Sequence, residues 1–119
     1  MPKLLVSVTY GKNDADRATI PFVVANAALA SGQEVVAFLT IEGVRLAIQG
    51  YADDIHAAGF APLKDLLAAF AEGGGKLWVC PPCFKVRELD QKDLAPNASL
   101  AGGAAVAAYL AEGAASMSY

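Results

Sequence analysis

Apolar residues in this chain gather in short unbroken runs, separated by stretches where they recur every third or fourth position. Leu4, Leu5, Val6 and Val8 form the first run, closed by Tyr10-Gly11, and predict a strand over residues 3–9 that is buried on both faces. Asn13, Asp14 and Asp16 then supply cap and first-turn residues for a helix reaching Ser31, with Gly32 just past its end. Pro21 falls inside that span, either in a late-starting first turn or at a kink. Val35, Val36, Phe38 and Leu39 repeat the buried run and predict a second strand over residues 34–40. Glycines at 43, 50 and 59 punctuate the next stretch, which has room for a short helix near residues 44–49. Pro62 opens a clearer helix with Leu63, Leu66, Leu67 and Phe70 on one face, and Gly73-Gly74-Gly75 ends it. Leu77, Trp78 and Val79 mark a third strand over residues 76–80. Beyond Pro81-Pro82, one or two helical turns carry Cys83 to Leu89, and Asp90 to Asp93 read as a capped turn. A weak strand near residues 98–101, an alanine-rich helix over 102–112 and an alternating strand over 115–119 complete the chain.

Strand and helix alternate throughout, which argues for a single α/β layered domain over residues 1–119 with a mostly parallel sheet. In such sheets, ligands and reacting groups collect at the carboxyl ends of the strands. Those ends are Thr9-Tyr10-Gly11-Lys12, Thr40-Ile41-Glu42-Gly43 and Cys80-Pro81-Pro82-Cys83. The helix over residues 17–31 is apolar nearly all round, with Asn26 almost alone in its middle. Such a helix wants burial on two sides. The sheet supplies one, and either a neighbouring subunit or the short helix after Glu42 supplies the other.

Composition narrows the partners. Hydrophobic residues make up 55% of the chain, yet no stretch approaches the ~18 uninterrupted apolar residues of a membrane span. The first residues lack the apolar core of a secretory signal, so a soluble, cytoplasmic protein without a membrane partner is expected. Nine basic and twelve acidic side chains are scattered without a block of one sign, which argues against a nucleic-acid partner. Only 18% of residues are charged, and so small a share points to an exterior partly covered in an oligomer. No glycine cluster has phosphate-loop spacing, and a single histidine excludes a convincing serine triad. Two cysteines and one distant histidine fall short of a closed zinc site. No metal and no cofactor are therefore expected.

The two cysteines carry the remaining chemistry. Both lie in Cys80-Pro81-Pro82-Cys83, after a strand and at the start of a helix. There the helix dipole and free N–H groups favour a thiolate, and Lys85 and Arg87 add positive charge within about a turn. Prolines have no N–H, so the donors to the Cys80 sulfur must come from Cys83 and Phe84 onward, which limits the activation. Cys83, one turn on, is in reach as a resolving thiol. Two ordinary packed thiols are the bland alternative. Glu42, at a neighbouring strand end, is placed to take a proton from an incoming thiol or to pin a loop. Tyr10 and Lys12, in the loop after the first strand, are candidates to orient a sulfur donor or an anion. His56 and Trp78 read as packed or surface residues.

Trp78 to Lys85 has something of the thioredoxin motif, but the motif follows the third strand, and Pro96 is the only later proline available to face it. A broader resemblance spans nearly the whole chain. It rests on the first strand with Gly11-Lys12-Asn13-Asp14, residues 25–32, Phe38-Leu39-Thr40 followed by Glu42-Gly43-Val44, residues 77–83, and the closing residues 114–119. These resemble the DsrE/DsrF-like family of sulfur-relay proteins. The resemblance implies a three-layer α/β/α sandwich with a five-stranded sheet, usually built into homotrimers or homohexamers. It also implies a persulfide-accepting cysteine after the third strand, at Cys80, with donor and acceptor proteins as partners. Cys83 matches a second cysteine found in some branches, and Arg87-Glu88 stands where the family often has Arg-Gly. The leading expectation is thus a sulfur carrier or sulfurtransferase. A dithiol–disulfide redox protein and a non-enzymatic oligomeric binding protein remain open beside it.

Overall fold

The computed structural model describes residues 2–119. Five strands form one sheet: β1 (Lys3–Val8), β2 (Glu34–Leu39), β3 (Lys76–Val79), β4 (Ala98–Leu100) and β5 (Ala115–Ser118). Their spatial order is β4-β3-β2-β1-β5, and every pairing is parallel. Four helices connect them: α1 (Ala15–Ala30), α2 (Leu63–Glu72), α3 (Pro81–Val86) and α4 (Gly103–Ala111). The stretch between β2 and α2 forms two 3-10 segments, Ile41–Ala47 and Tyr51–Asp54, the first starting earlier than the expected helix.

The sheet has two unequal faces. Leu4, Val6, Val8, Val35, Ala37, Leu39, Leu77 and Val79 point to the larger core, where α1, α2 and the 3-10 segments pack. Phe22 of α1 and Phe70 of α2 meet edge-to-face there, with centroids 5.4 Å apart. On the other face Leu5 and Val36 are covered by Tyr109 of α4, with Phe38, Trp78 and Val106 half-buried around them. One nine-residue helix therefore covers side chains from three strands on this face.

Local chemistry sets the helix boundaries. The Asp14 carboxylate accepts from the Arg17 N–H at 3.0 Å and caps α1. Pro21 lies past the first turn and is buried inside a helix that continues to Ala30. The second covering element of α1 is α2, not the short segment after Glu42. Asn26 donates to the Leu66 carbonyl at 3.1 Å, which accounts for the one polar residue in the middle of α1. In α3 the two prolines themselves form the first turn, so the helix starts at Pro81, not at Cys83. Among the described residues no helix is long and apolar enough to cross a membrane.

Candidate functional site

The carboxyl ends of β1, β2 and β3 lie level. Leu39 pairs with Val79, the Cys80 N–H donates to the Leu39 carbonyl at 3.0 Å, and the Thr40 N–H donates to the Val8 carbonyl at 3.1 Å. Cys80 thus closes β3 beside Thr40 and caps α3, its carbonyl accepting from the Phe84 N–H at 3.0 Å. Close approach of the strand-end loops holds this rim together. A Cβ on Gly43 would lie 2.3 Å from the Val8 carbonyl oxygen, and one on Gly11 would lie 3.0 Å from the Glu42 carbonyl oxygen. Glycine at these two positions lets the backbones touch.

Cys80 and Cys83 are both free and half-buried. The Cys83 N–H faces the Cys80 sulfur, the first donor that two consecutive prolines permit. The expected bias toward thiolate is nevertheless overturned. Burial pushes the Cys80 thiol above its ordinary value, outweighing the Cys83 N–H and the more distant charge of Arg87, which act the other way.

Arg87 sits where α3 ends and its chain turns back toward the 3-10 segment Ile41–Ala47. Its Nε donates to Glu42 Oε2 at 2.7 Å, and another guanidinium nitrogen donates to the Cys83 carbonyl at 3.2 Å. The other Glu42 oxygen accepts from Arg45 Nε at 2.8 Å. Arg87 first, then Arg45, holds the Glu42 carboxyl below its usual range despite some burial. The structure therefore links Cys83, Arg87, Glu42 and Arg45 directly, and Glu42 serves as the pin between two loops. Arg45 was missed in the sequence, although its i, i+3 spacing from Glu42 was visible there.

The other candidates go elsewhere. Lys85 is exposed on α3. The Lys12 N–H donates to the Tyr51 hydroxyl at 2.8 Å, and its ammonium lies 3.3 Å from Asp54 and over the Tyr51 ring. The Arg17 guanidinium stacks on Tyr10. His56 is exposed and hydrogen-bonded to the Phe60 carbonyl at 2.7 Å. Trp78 packs edge-on against Tyr109 on the opposite face of the sheet. Among the described residues no cluster of His, Cys, Asp and Glu is arranged to hold a metal ion.

Two residues beside this cluster have left-handed backbones without being glycine: Ile41 and Glu88, each at φ 55°. For a β-branched residue such as Ile41 this conformation is a true outlier, costing about 1–2 kcal/mol. Glu88 occupies the place where the family resemblance supplies glycine.

A parallel five-stranded sheet bearing a Cys-x-x-Cys pair at its carboxyl rim defines a small α/β thiol protein. The chain belongs to the DsrE/DsrF-like family, a family of sulfur-relay type, which it matches over residues 2–119. It is 28% identical over 110 residues, 92% of its length, to the uncharacterized protein MJ0760 of Methanocaldococcus jannaschii, and spans 40% of that protein. Its fold is similar to the ychN protein of E. coli, with a TM-score of 0.82, 12% identity and complete coverage of both chains. It is also similar to MTH1491 of Methanobacterium thermoautotrophicum, a protein of unknown function, at 0.78 and 11% identity, again over the whole of both chains.

Proposed function

We propose that the protein carries sulfane sulfur on Cys80. The Cys80 thiolate attacks the outer sulfur of a donor persulfide, R–S–SH; the donor's S–S bond breaks, R–S⁻ leaves, and Cys80–S–SH forms. An acceptor thiolate then attacks that outer sulfur, takes it as a new persulfide and returns Cys80 to its thiol. Cys83 offers a second exit. Its thiolate attacks the Cys80 sulfur, forms a Cys80–Cys83 disulfide and expels hydrosulfide, and an external dithiol resets the pair.

The observation that carries this reading is the position of Cys80 at the sheet's carboxyl rim, one turn from Cys83 and beside the Glu42–Arg87–Arg45 cluster. That cluster holds one carboxylate against two guanidinium groups, so it retains positive charge next to an anionic sulfur. Intact mass after exposure to a persulfide donor tests the proposal. A gain of one sulfur, lost in Cys80→Ser and kept in Cys83→Ser, supports it. A loss of two hydrogens without sulfur gain favours the dithiol redox reading, which the proximity of the two thiols keeps in view. Neither change, with alkylation only on unfolding, supports a passive binding protein.

We also infer that the working form is a homo-oligomer. α4 carries no charged residue from Gly103 to Ala111, and its Leu110 side chain is exposed. Light scattering tests this, with Leu110→Glu expected to lower the mass; an unchanged mass, or a monomer in the unaltered protein, overturns it.

A further inference from the structure

Among the described residues, the large hydrophobic side chains left most exposed are Val86, 75% exposed, and Ile41, 51% exposed. Both border the thiol site. Ile41 precedes Glu42 and Val86 precedes Arg87, and Glu42 and Arg87 are joined at 2.7 Å. Ile41 also lies one residue beyond Thr40, the residue level with Cys80 on the adjoining strand. Val86 ends the short helix whose first turns carry Cys83. Two apolar side chains thus flank the ion pair that borders the thiols.

Ile41 holds this position against its own backbone preference. Its φ of 55° is the left-handed conformation that glycine adopts freely and isoleucine resists. Half of the side chain remains in water, so intramolecular packing does not account for choosing isoleucine there. Nearby cations are already engaged, because Glu42 takes both Arg45 and Arg87. The positive charge left over in that cluster serves any persulfide alike, whereas the two exposed side chains add contact only for a donor that carries apolar groups.

We propose that Ile41 and Val86 form an apolar rim that selects the sulfur partner of Cys80: a polypeptide cysteine flanked by apolar side chains, in preference to a small hydrophilic persulfide. The proposal rests on the sulfur-carrier reading above. Any segment whose sulfur reaches Cys80 must lay its neighbouring residues across this rim, and burying an aliphatic side chain there favours the apolar segment.

Two donors test it on the whole protein: glutathione persulfide, and the persulfide of the peptide N-acetyl-Leu-Cys-Leu-amide. The rate of sulfur gain at Cys80 is read by intact mass. The unaltered protein takes sulfur faster from the peptide, and the peptide-to-glutathione rate ratio falls about fivefold in Ile41→Gly and in Val86→Ser. Val23→Ser, an exposed change on α1, leaves the ratio unchanged. Val86→Ser alters a side chain three-quarters in solvent, so it reports even if Ile41→Gly perturbs the turn. Equal rates from the two donors, or a ratio unmoved by either rim substitution, overturn the rim and leave the carrier reading standing. No sulfur on Cys80 from either donor overturns both.

Discussion

Gly43→Ala places a methyl group 2.3 Å from the Val8 carbonyl oxygen and 2.9 Å from the carbon of the same carbonyl. Ordinary C···O contact begins near ~3.3 Å, so the segment must withdraw by about 1 Å. The obstacle is backbone, and it cannot rotate aside. The Val8 carbonyl also accepts from the Thr40 N–H at 3.1 Å, and the Gly43 N–H donates to the Thr40 carbonyl at 2.9 Å. Withdrawal therefore strains the bond that keeps the ends of β1 and β2 level. Overpacking of this kind costs about 1–3 kcal/mol, and a buried hydrogen bond left unmade costs about 1–3 kcal/mol more. Alanine returns about 0.4–1 kcal/mol by restricting the unfolded chain. The expected net loss is about 2–4 kcal/mol, a large part of the ~5–15 kcal/mol typical of a domain. Urea unfolding followed by Trp78 fluorescence measures it, and with a slope of about 2 kcal/mol/M the midpoint falls by about 1–2 M. Gly103→Ala is the control, since nothing lies within 4 Å of a Cβ there; it should leave the midpoint unchanged or slightly raised. A Gly43→Ala midpoint within about 0.3 M of the unaltered protein, given ordinary slopes, refutes the close contact between the loop and β1.

Other perturbations follow from the same geometry. Glu42→Gln removes the acceptor of two guanidinium groups and should cost about 1 kcal/mol at neutral pH. Because the folded state holds this carboxyl below its ordinary value of 4.5, its contribution is present above that pH and fades as the pH falls through the lower folded value; stability measured down to pH 3 should therefore fall less steeply in Glu42→Gln. Alkylation of Cys80 in the folded Cys83→Ser protein should inflect above the pH at which the unfolded chain does, since burial raises this thiol; an inflection lower than that of the unfolded chain contradicts the assignment. Glu88→Gly relieves a left-handed glutamate at φ 55° and should leave stability equal or raise it by up to about 1 kcal/mol in a thermal melt. Phe70→Ala, which empties the space against Phe22, should lower stability by about 3–5 kcal/mol.

What the sequence disclosed depended on how local the cause was. The runs at Leu4 to Val8, Val35 to Leu39 and Leu77 to Val79 are buried on the larger core face and only partly covered on the α4 face, and their strands lie where hydrophobic patterning puts them. The three-residue strand at Ala98 was legible only as a weak signal, because β4 is a short edge strand. The length and type of the segment after β2 were not legible. Tight docking of Gly43 on Val8 and the left-handed turn at Ile41 decide them, and both are tertiary facts. The Cys80 position and the pinning role of Glu42 were readable, since strand ends gather in one rim. The direction of the Cys80 shift was not, because the helix start is visible in the sequence whereas the depth of the sulfur is not.

That depth bears on which sulfur chemistry suits the site. Burial raises the Cys80 thiol, which weighs on a dithiol oxidant and on the first attack of a sulfur carrier alike. Adding one sulfur changes the geometry of the charge. The outer atom of a persulfide stands about 2.05 Å beyond the Cys80 sulfur, along an S–S bond that can point toward the rim. On the proposed carrier reading, an outer sulfur pointing toward the rim is less desolvated than a thiolate at the original position. Beside it, the cluster of Glu42 with Arg45 and Arg87 keeps one positive charge in excess. On that same proposed reading, the site disfavours an anion on the Cys80 sulfur and relieves part of that cost for one a bond length farther out.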